Sequence, residues 1–143
     1  MPLAAHKAEY TRVYKVALRE VNAHSLVNLC IRLQIRAGKI AAMTLVFGAL
    51  APLPVRMRAT EAFFVGRDWN KKTVTAGLDA LQREISELQS GLPSWFLALP
   101  STGISPEYQG ACAVNLLRKA CLRQGRIRKY RIYGPTELSL IHI

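Results

Sequence analysis

Apolar and polar residues alternate over a ten-residue stretch near the start of the chain. A period of two places the apolar set on one face of a β-strand. The apolar residues are Val27, Leu29, Ile31, Leu33 and Ile35. A second apolar run occupies residues 40–50, after a turn segment in which Gly38 can adopt a positive φ. The pattern predicts an antiparallel hairpin over residues 27–50.

Weaker strand signals flank this hairpin. Val13, Tyr14 and Val16 indicate a short strand before it, and residues 54–58 indicate another after it. Pro52 lies between the hairpin and the later segment, and Pro54 is the first residue of that segment. Because proline cannot donate a ladder hydrogen bond, these prolines are expected to end the second hairpin strand or to lie at the sheet edge.

From residue 70 onward the hydrophobic period becomes helical. Spacings of four, three, four and three align one apolar stripe, made of Val74, Leu78, Leu81, Ile85 and Leu88. Asn70 is a suitable N-cap, so a helix is predicted over residues 70–88. Residues 89–103 are rich in glycine and proline and are interpreted as a long surface loop.

A further helix is predicted over residues 107–124. Ser105 is a capping residue, Pro106 suits the first helical position, and Glu107 suits the positive end of the helix dipole. Gly125 is a typical stop residue. The apolar face of this helix is Ala113, Leu116, Leu117, Ala120 and Cys121.

Strands that precede helices in one short chain indicate an α+β fold, with an antiparallel three- to four-stranded sheet and helices packed on one face. At 143 residues, half of them hydrophobic, the chain is long enough for one domain with a substantial core. The predicted core residues are Leu29, Ile31, Leu33, Leu78, Leu81, Ile85, Leu116 and Leu117.

Composition limits the cellular setting. The longest uncharged run, residues 40–55, contains a glycine and two prolines and is shorter than the roughly 20 apolar residues of a membrane span, and no secretory signal pattern is present. Cys30, Cys112 and Cys121 lack metal-ligand spacing and are interpreted as small buried side chains. A reducing compartment, the cytoplasm, is therefore expected, without a membrane partner.

The net charge of +11 is unevenly distributed and suggests an alternative function. Basic residues with two interleaved tyrosines, typical of a nucleic-acid-binding module, cluster near the C-terminus. They are Arg118, Lys119, Arg123, Arg126, Arg128, Lys129 and Arg131, with Tyr130 and Tyr133. Residues 61–117 carry four bases against six acids, so no continuous basic face is evident. A non-catalytic docking domain is a third interpretation.

Several segments resemble a known family when taken in order. Residues 14–28 (YKVALREVNAHSLVN), 46–52, 58–70 and 103–108 are similar to the C-terminal part of the FAD domain of molybdenum hydroxylases, the xanthine dehydrogenase and aldehyde oxidase family. This part is the CO dehydrogenase flavoprotein C-terminal-like domain. The resemblance implies antiparallel strands backed by a three-helix bundle.

The resemblance also implies a role in an oxidoreductase. In this family electrons leave a substrate at a molybdopterin centre, cross two 2Fe-2S clusters and reach FAD, which passes them to NAD or dioxygen. The implied partners are the other domains or subunits of the enzyme, itself a homodimer, and nucleic acid is not expected. FAD would be shared with a missing subdomain that holds the pyrophosphate. The isolated chain is therefore expected to be inactive.

Two site residues carry over from the family by position. Lys15 matches the basic residue of a strand that approaches the flavin, and Asn22 matches the polar residue seven positions later. A cation there would stabilise negative charge on a reduced flavin, and an amide could hydrogen-bond the ring edge. Apart from the resemblance, Lys15 is a solvated lysine, Asn22 a turn residue and His24 a surface histidine. The Asn22-Ala23 pair is more similar to aldehyde oxidases than to xanthine dehydrogenases.

The domain prediction divides the chain near its end. Residues 1–128 are assigned to the flavoprotein C-terminal subdomain. Residues 129–143 leave the family pattern and are predicted to be a disordered or artefactual tail, because residues 138–143 resemble the translated transposon end used in sequencing libraries.

Overall fold

The computed structural model describes residues 9–19, 22–93 and 104–127. Four strands in the order β1-β2-β3-β4 form one sheet in which all neighbours are antiparallel. The strands are β1 (Glu9–Ala17), β2 (Ser25–Arg36), β3 (Lys39–Gly48) and β4 (Val55–Arg56). The helices of the described part are α1 (Arg58–Phe64), α2 (Lys71–Ser90) and α3 (Pro106–Ile127). The predicted α+β fold and the central hairpin are confirmed.

The helices cover one face of the sheet and bury the core against it. Helix α3 packs on β1 and β2, α1 packs on β3, and α2 packs on both other helices. The alternating apolar positions of β2 are all buried, as the period of two predicted. All eight residues predicted to form the core are buried, at most 5 % exposed.

The predicted helix starts are confirmed by their caps. The Asn70 Oδ1 accepts a hydrogen bond from the Thr73 N–H at 2.8 Å, and the Ser105 Oγ accepts one from the Tyr108 N–H at 3.2 Å. The prediction that Gly125 ends the last helix is wrong, because α3 continues to Ile127. One glycine costs a helix only about 1 kcal/mol, which is too little to end a helix held by tertiary packing.

The spacing of hydrophobic residues does not reveal helix α1. Its start is stabilised by a residue distant in sequence. The predicted strand over residues 54–58 is only two residues long, and Arg58 already begins α1. The Glu84 carboxylate of α2 accepts hydrogen bonds from the Ala59 N–H at 3.0 Å and the Thr60 N–H at 2.7 Å. It thereby satisfies two of the donors that a helix N-terminus leaves free.

The turn of the central hairpin offers a stability prediction. Ala37 and Gly38 have φ of 48° and 78°, the two left-handed residues of a type I′ turn. Alanine is strained there, whereas asparagine tolerates this region. Ala37→Asn is expected to raise the free energy of unfolding by about 1 kcal/mol in urea titrations of the purified chain, because asparagine relieves the left-handed strain. The control is Ala41→Asn at an exposed strand position, where no gain is expected. Equal stability of Ala37→Asn and the unchanged chain would contradict the explanation.

Candidate functional site

Lys15 lies near the end of β1 on the sheet face that carries no helix. Its neighbour Val16 packs against the core, and successive strand residues point to opposite faces. Lys15 lies opposite Asn28 of β2, and Asn28 lies opposite Gly48 of β3. We call these three residues the Lys15 row. The Lys15 side chain is exposed, and its Nζ donates one long hydrogen bond, 3.4 Å, to the Ala23 carbonyl oxygen.

Asn22 lies in the connection between β1 and β2, at the same end of the sheet as the Lys15 row. Its φ of 51° is in the left-handed region, which asparagine tolerates better than most residues. The Asn22 carbonyl oxygen accepts hydrogen bonds from the Arg19 Nε at 3.2 Å and Nη2 at 2.8 Å. Arg19 and Lys15 therefore hold two consecutive carbonyls of the connection, those of Asn22 and Ala23.

Two residues of this end were not identified from the sequence. Arg19 is a charged residue in a polar segment, and no local rule connects it to the carbonyl of Asn22. Asn28 occupies an outward position of a strand, where an amide is ordinary. Its one signal is the glycine opposite it in β3, and the register that joins them becomes visible only in the folded sheet.

An ion pair between Glu9 and Arg32 lies toward the opposite end of the same sheet face. Glu9 accepts hydrogen bonds from the Arg32 guanidinium and, at 3.1 Å, from the Gln34 Nε2. The hydrogen bond from Arg32 is the main cause that holds the pKa of Glu9 below its ordinary value. Lys15 lies six residues further along β1, about 20 Å away, beyond the reach of this pair at physiological ionic strength. The positive charge of Lys15 is therefore not cancelled by Glu9.

Backbone strain and exposed apolar side chains also occur at the Lys15 end. Ala49, directly after the Lys15 row in β3, has a φ of 70°, a costly conformation for a residue with a Cβ. Leu18 and Leu53 are 77 % and 76 % exposed and follow β1 and β3 respectively. Strained backbone tends to persist where function requires it. Ala37 at the opposite end is strained too, so it is the exposed leucines together with the exposed Lys15 that make the Lys15 end the candidate functional site in the described part of the chain.

A comparison with protein families decides the wider assignment. The family model of the CO dehydrogenase flavoprotein C-terminal domain matches residues 12–124. This span includes Lys15, Asn22, helices α1 and α2, and α3 as far as residue 124. This match covers well over half of the chain. The chain belongs to the CO dehydrogenase flavoprotein C-terminal domain family.

Individual relatives agree with this family assignment. Xanthine dehydrogenase from Emericella nidulans is 33% identical over 95 residues, which are 65% of this chain and 7% of that protein. Xanthine dehydrogenase 2 from Arabidopsis thaliana is 29% identical over 89 residues, which are 59% of this chain and 6% of that protein. The chain thus spans less than a tenth of the length of these curated relatives.

Solved structures share the fold of this flavoprotein domain. Quinoline 2-oxidoreductase from Pseudomonas putida 86 matches with a TM-score of 0.63 at 16% identity, covering 88% of this chain and 39% of that chain. Carbon monoxide dehydrogenase from Hydrogenophaga pseudoflava matches with a TM-score of 0.60 at 15% identity, covering 80% and 36%. At these identities the likeness concerns the fold alone.

The described residues contain no group of three or more histidine, cysteine, aspartate or glutamate side chains that could hold a metal ion. His24 is exposed. The interpretation of all three cysteines as buried is wrong for two of them. Cys121 is buried, and this burial raises the pKa of its thiol to about 12, whereas Cys30 and Cys112 are half-buried. No helix of the described part is long and apolar enough to cross a membrane.

The basic cluster of the C-terminus falls mostly outside the described residues. Arg118, Lys119 and Arg123 are exposed on α3. The side chain of Arg126 and the residues from Arg128 onward are not described. The alternative of a nucleic-acid-binding module therefore stays a sequence-based prediction.

Proposed function

We propose that this chain is part of a molybdenum- and flavin-containing oxidoreductase of the xanthine dehydrogenase or aldehyde oxidase type. In the complete enzyme, its Lys15 end would help to seat FAD, which supplies the redox chemistry that passes electrons to NAD or dioxygen. The observation that carries the proposal is the position of Lys15 and Asn22 at one open end of the sheet, inside the span matched by the flavoprotein family.

The described residues fit one part of FAD, the edge of its isoalloxazine ring. Lys15 offers an exposed ammonium with N–H donors beyond its one long hydrogen bond to Ala23, and Asn22, the residue before Ala23, has an exposed side chain. An ammonium can donate hydrogen bonds to the ring edge of a flavin, and an amide can both donate to it and accept from it. The sequence has no GxGxxG motif after a strand, so the pyrophosphate is assigned to a partner domain.

Lys15 and Arg19 would divide two tasks between them. The ammonium of Lys15 would place a positive charge where the ring gains negative charge, an electrostatic effect that is strongest in a site from which partner domains exclude water. Arg19 would act through the backbone, because its guanidinium holds the carbonyl of Asn22 and thereby the connection that carries this residue.

Replacement of Lys15 tests the proposal directly. In the full-length enzyme, Lys15→Ala is expected to slow flavin reduction or reoxidation on the order of tenfold, as measured by stopped-flow absorbance. Substrate binding at the molybdenum site is expected to stay unchanged, because that site lies in another domain.

The matched control is Lys39→Ala, which removes an exposed lysine at the other end of the hairpin. It is expected to leave the flavin rates unchanged. Equal flavin rates in Lys15→Ala and the unaltered enzyme would remove Lys15 from the site. Equal losses in the two lysine variants would point to net charge and not to a local contact.

The wider setting follows from the same proposal. We assign residues 1–128 to the flavoprotein subdomain, which contains the family match over 12–124, and keep the tail assignment for residues 129–143, which lie outside the described residues. Molybdopterin and 2Fe-2S clusters would belong to other parts of the enzyme, which we propose to be a cytoplasmic homodimer. The isolated chain is proposed to lack oxidoreductase activity.

A further inference from the structure

The middle residue of the Lys15 row has an unusual environment. Asn28 lies between Lys15 of β1 and Gly48 of β3, on the sheet face that carries no helix. A Cβ placed on Gly48 would lie 2.5 Å from the Asn28 Oδ1 and 2.7 Å from its Nδ2. The carboxamide of Asn28 therefore occupies the space that a side chain at position 48 would fill.

Glycine at position 48 is explained by this close approach. The φ of Gly48 is outside the left-handed region, so the backbone does not require glycine there. Glycine inside a strand weakens the strand and typically marks a site where another group comes near. Here that group is the Asn28 carboxamide, so the absence of a side chain at position 48 sets where the amide lies.

The Asn28 carboxamide has no hydrogen-bond partner among the described residues. Asn28 is half-buried, and its side chain makes no hydrogen bond with another described residue. Gln34 on the same face bonds Glu9, whereas the half-buried Asn28 amide is left to bond water or a ligand. Asn28 thus presents a donor and an acceptor side by side, on the strand paired with that of Lys15.

We infer that Asn28 is a further flavin-binding residue, and that Gly48 positions it; the inference rests on the function proposed above. The pyrimidine edge of an isoalloxazine ring carries two carbonyl acceptors with an N–H donor between them. A carboxamide with one free donor and one free acceptor matches that edge in type, and the neighbouring ammonium matches its acceptors. Asn28 would select the ring edge by hydrogen bonds, while Lys15 supplies charge.

Two variants of the full-length enzyme test Asn28 in different ways. Asn28→Asp keeps the shape but removes the donor and places a negative charge on the strand paired with that of Lys15. Gly48→Ala keeps Asn28 but forces its carboxamide away, and this displacement costs the fold little because the clashing atoms end a flexible side chain. Each is expected to raise the dissociation constant of FAD by about tenfold, the value of one lost hydrogen bond. Each is also expected to shift the visible absorption bands of the bound flavin.

The control is Cys30→Ser, which alters a half-buried residue of the same strand and face, one row further from Lys15. It is expected to change neither the FAD affinity nor the spectrum. Thermal melting of the flavin-free proteins checks that all variants fold, and if Asn28→Asp does not, Gly48→Ala carries the test.

The outcomes separate this inference from the proposed function. If Lys15→Ala alters flavin kinetics while Asn28→Asp and Gly48→Ala keep the affinity and spectrum of the unaltered enzyme, Asn28 is not a flavin ligand and the proposed function stands. If none of the three variants changes any flavin property, both the inference and the proposed function are wrong.

Discussion

Gly77→Ala is expected to lower the free energy of unfolding by about 2 kcal/mol or more, although alanine favours helices. Gly77 lies inside α2, where a Cβ would be 2.0 Å from the Phe64 Cζ and 2.5 and 2.6 Å from the ring's two Cε atoms. Phe64 is fully buried, so its ring has no free space to move into. Overpacking of this kind costs about 1–3 kcal/mol and sometimes more, which exceeds the gain of about 1 kcal/mol from helix propensity.

Urea unfolding of the purified chain measures this effect, and Gly110→Ala is the matched control. Gly110 is also a buried glycine inside a helix, α3, but its Cβ would lie 3.3 Å from the Ile85 Cγ2 as nearest atom. The control is expected to change stability by less than about 1 kcal/mol, since propensity and a slight crowding oppose each other. A Gly77→Ala chain as stable as the control would show that the contact between α1 and α2 relaxes easily.

The purified 143-residue chain is expected to bind FAD with a dissociation constant weaker than about 100 μM, far from the affinity of a resident cofactor. Under the proposed function, the described residues would contact only one ring edge, and they include no glycine-rich cradle for the pyrophosphate. Immobilising a ligand costs on the order of 4–15 kcal/mol, which a few contacts without a second wall do not offset.

Titration of the chain with FAD, followed by flavin fluorescence, measures this affinity. The flavin-depleted full-length enzyme, titrated under the same conditions, is the positive control. Saturable binding by the chain at micromolar FAD would mean that the site is complete in these residues. The proposed division of FAD binding between this subdomain and a partner would then be wrong.

Most of the fold could be predicted from residue order, because the signals are local. The period of two in β2, the stripe of α2 and the caps Asn70 and Ser105 each lie within one element, so the burial of alternate residues and the helix starts followed directly. The family resemblance singled out Lys15 and Asn22, and the fold brings both to one end of the sheet. Their contact with flavin stays a prediction.

Except for the contact of Arg19 with the nearby Asn22 carbonyl, the structural features that sequence reasoning missed depend on residues distant along the chain. The start of α1 is capped by Glu84, 24 residues after Thr60, and the glycine in α2 accommodates a ring from α1. Asn28 and Gly48 meet through strand register, which a pattern of apolar residues does not specify for outward-facing positions. The order of hydrophobic and capping residues therefore determined which elements form. Tertiary packing alone decided where α1 begins, which glycines must lack a side chain, and which residue pairs with Lys15 across the sheet, because these depend on distances between separate elements.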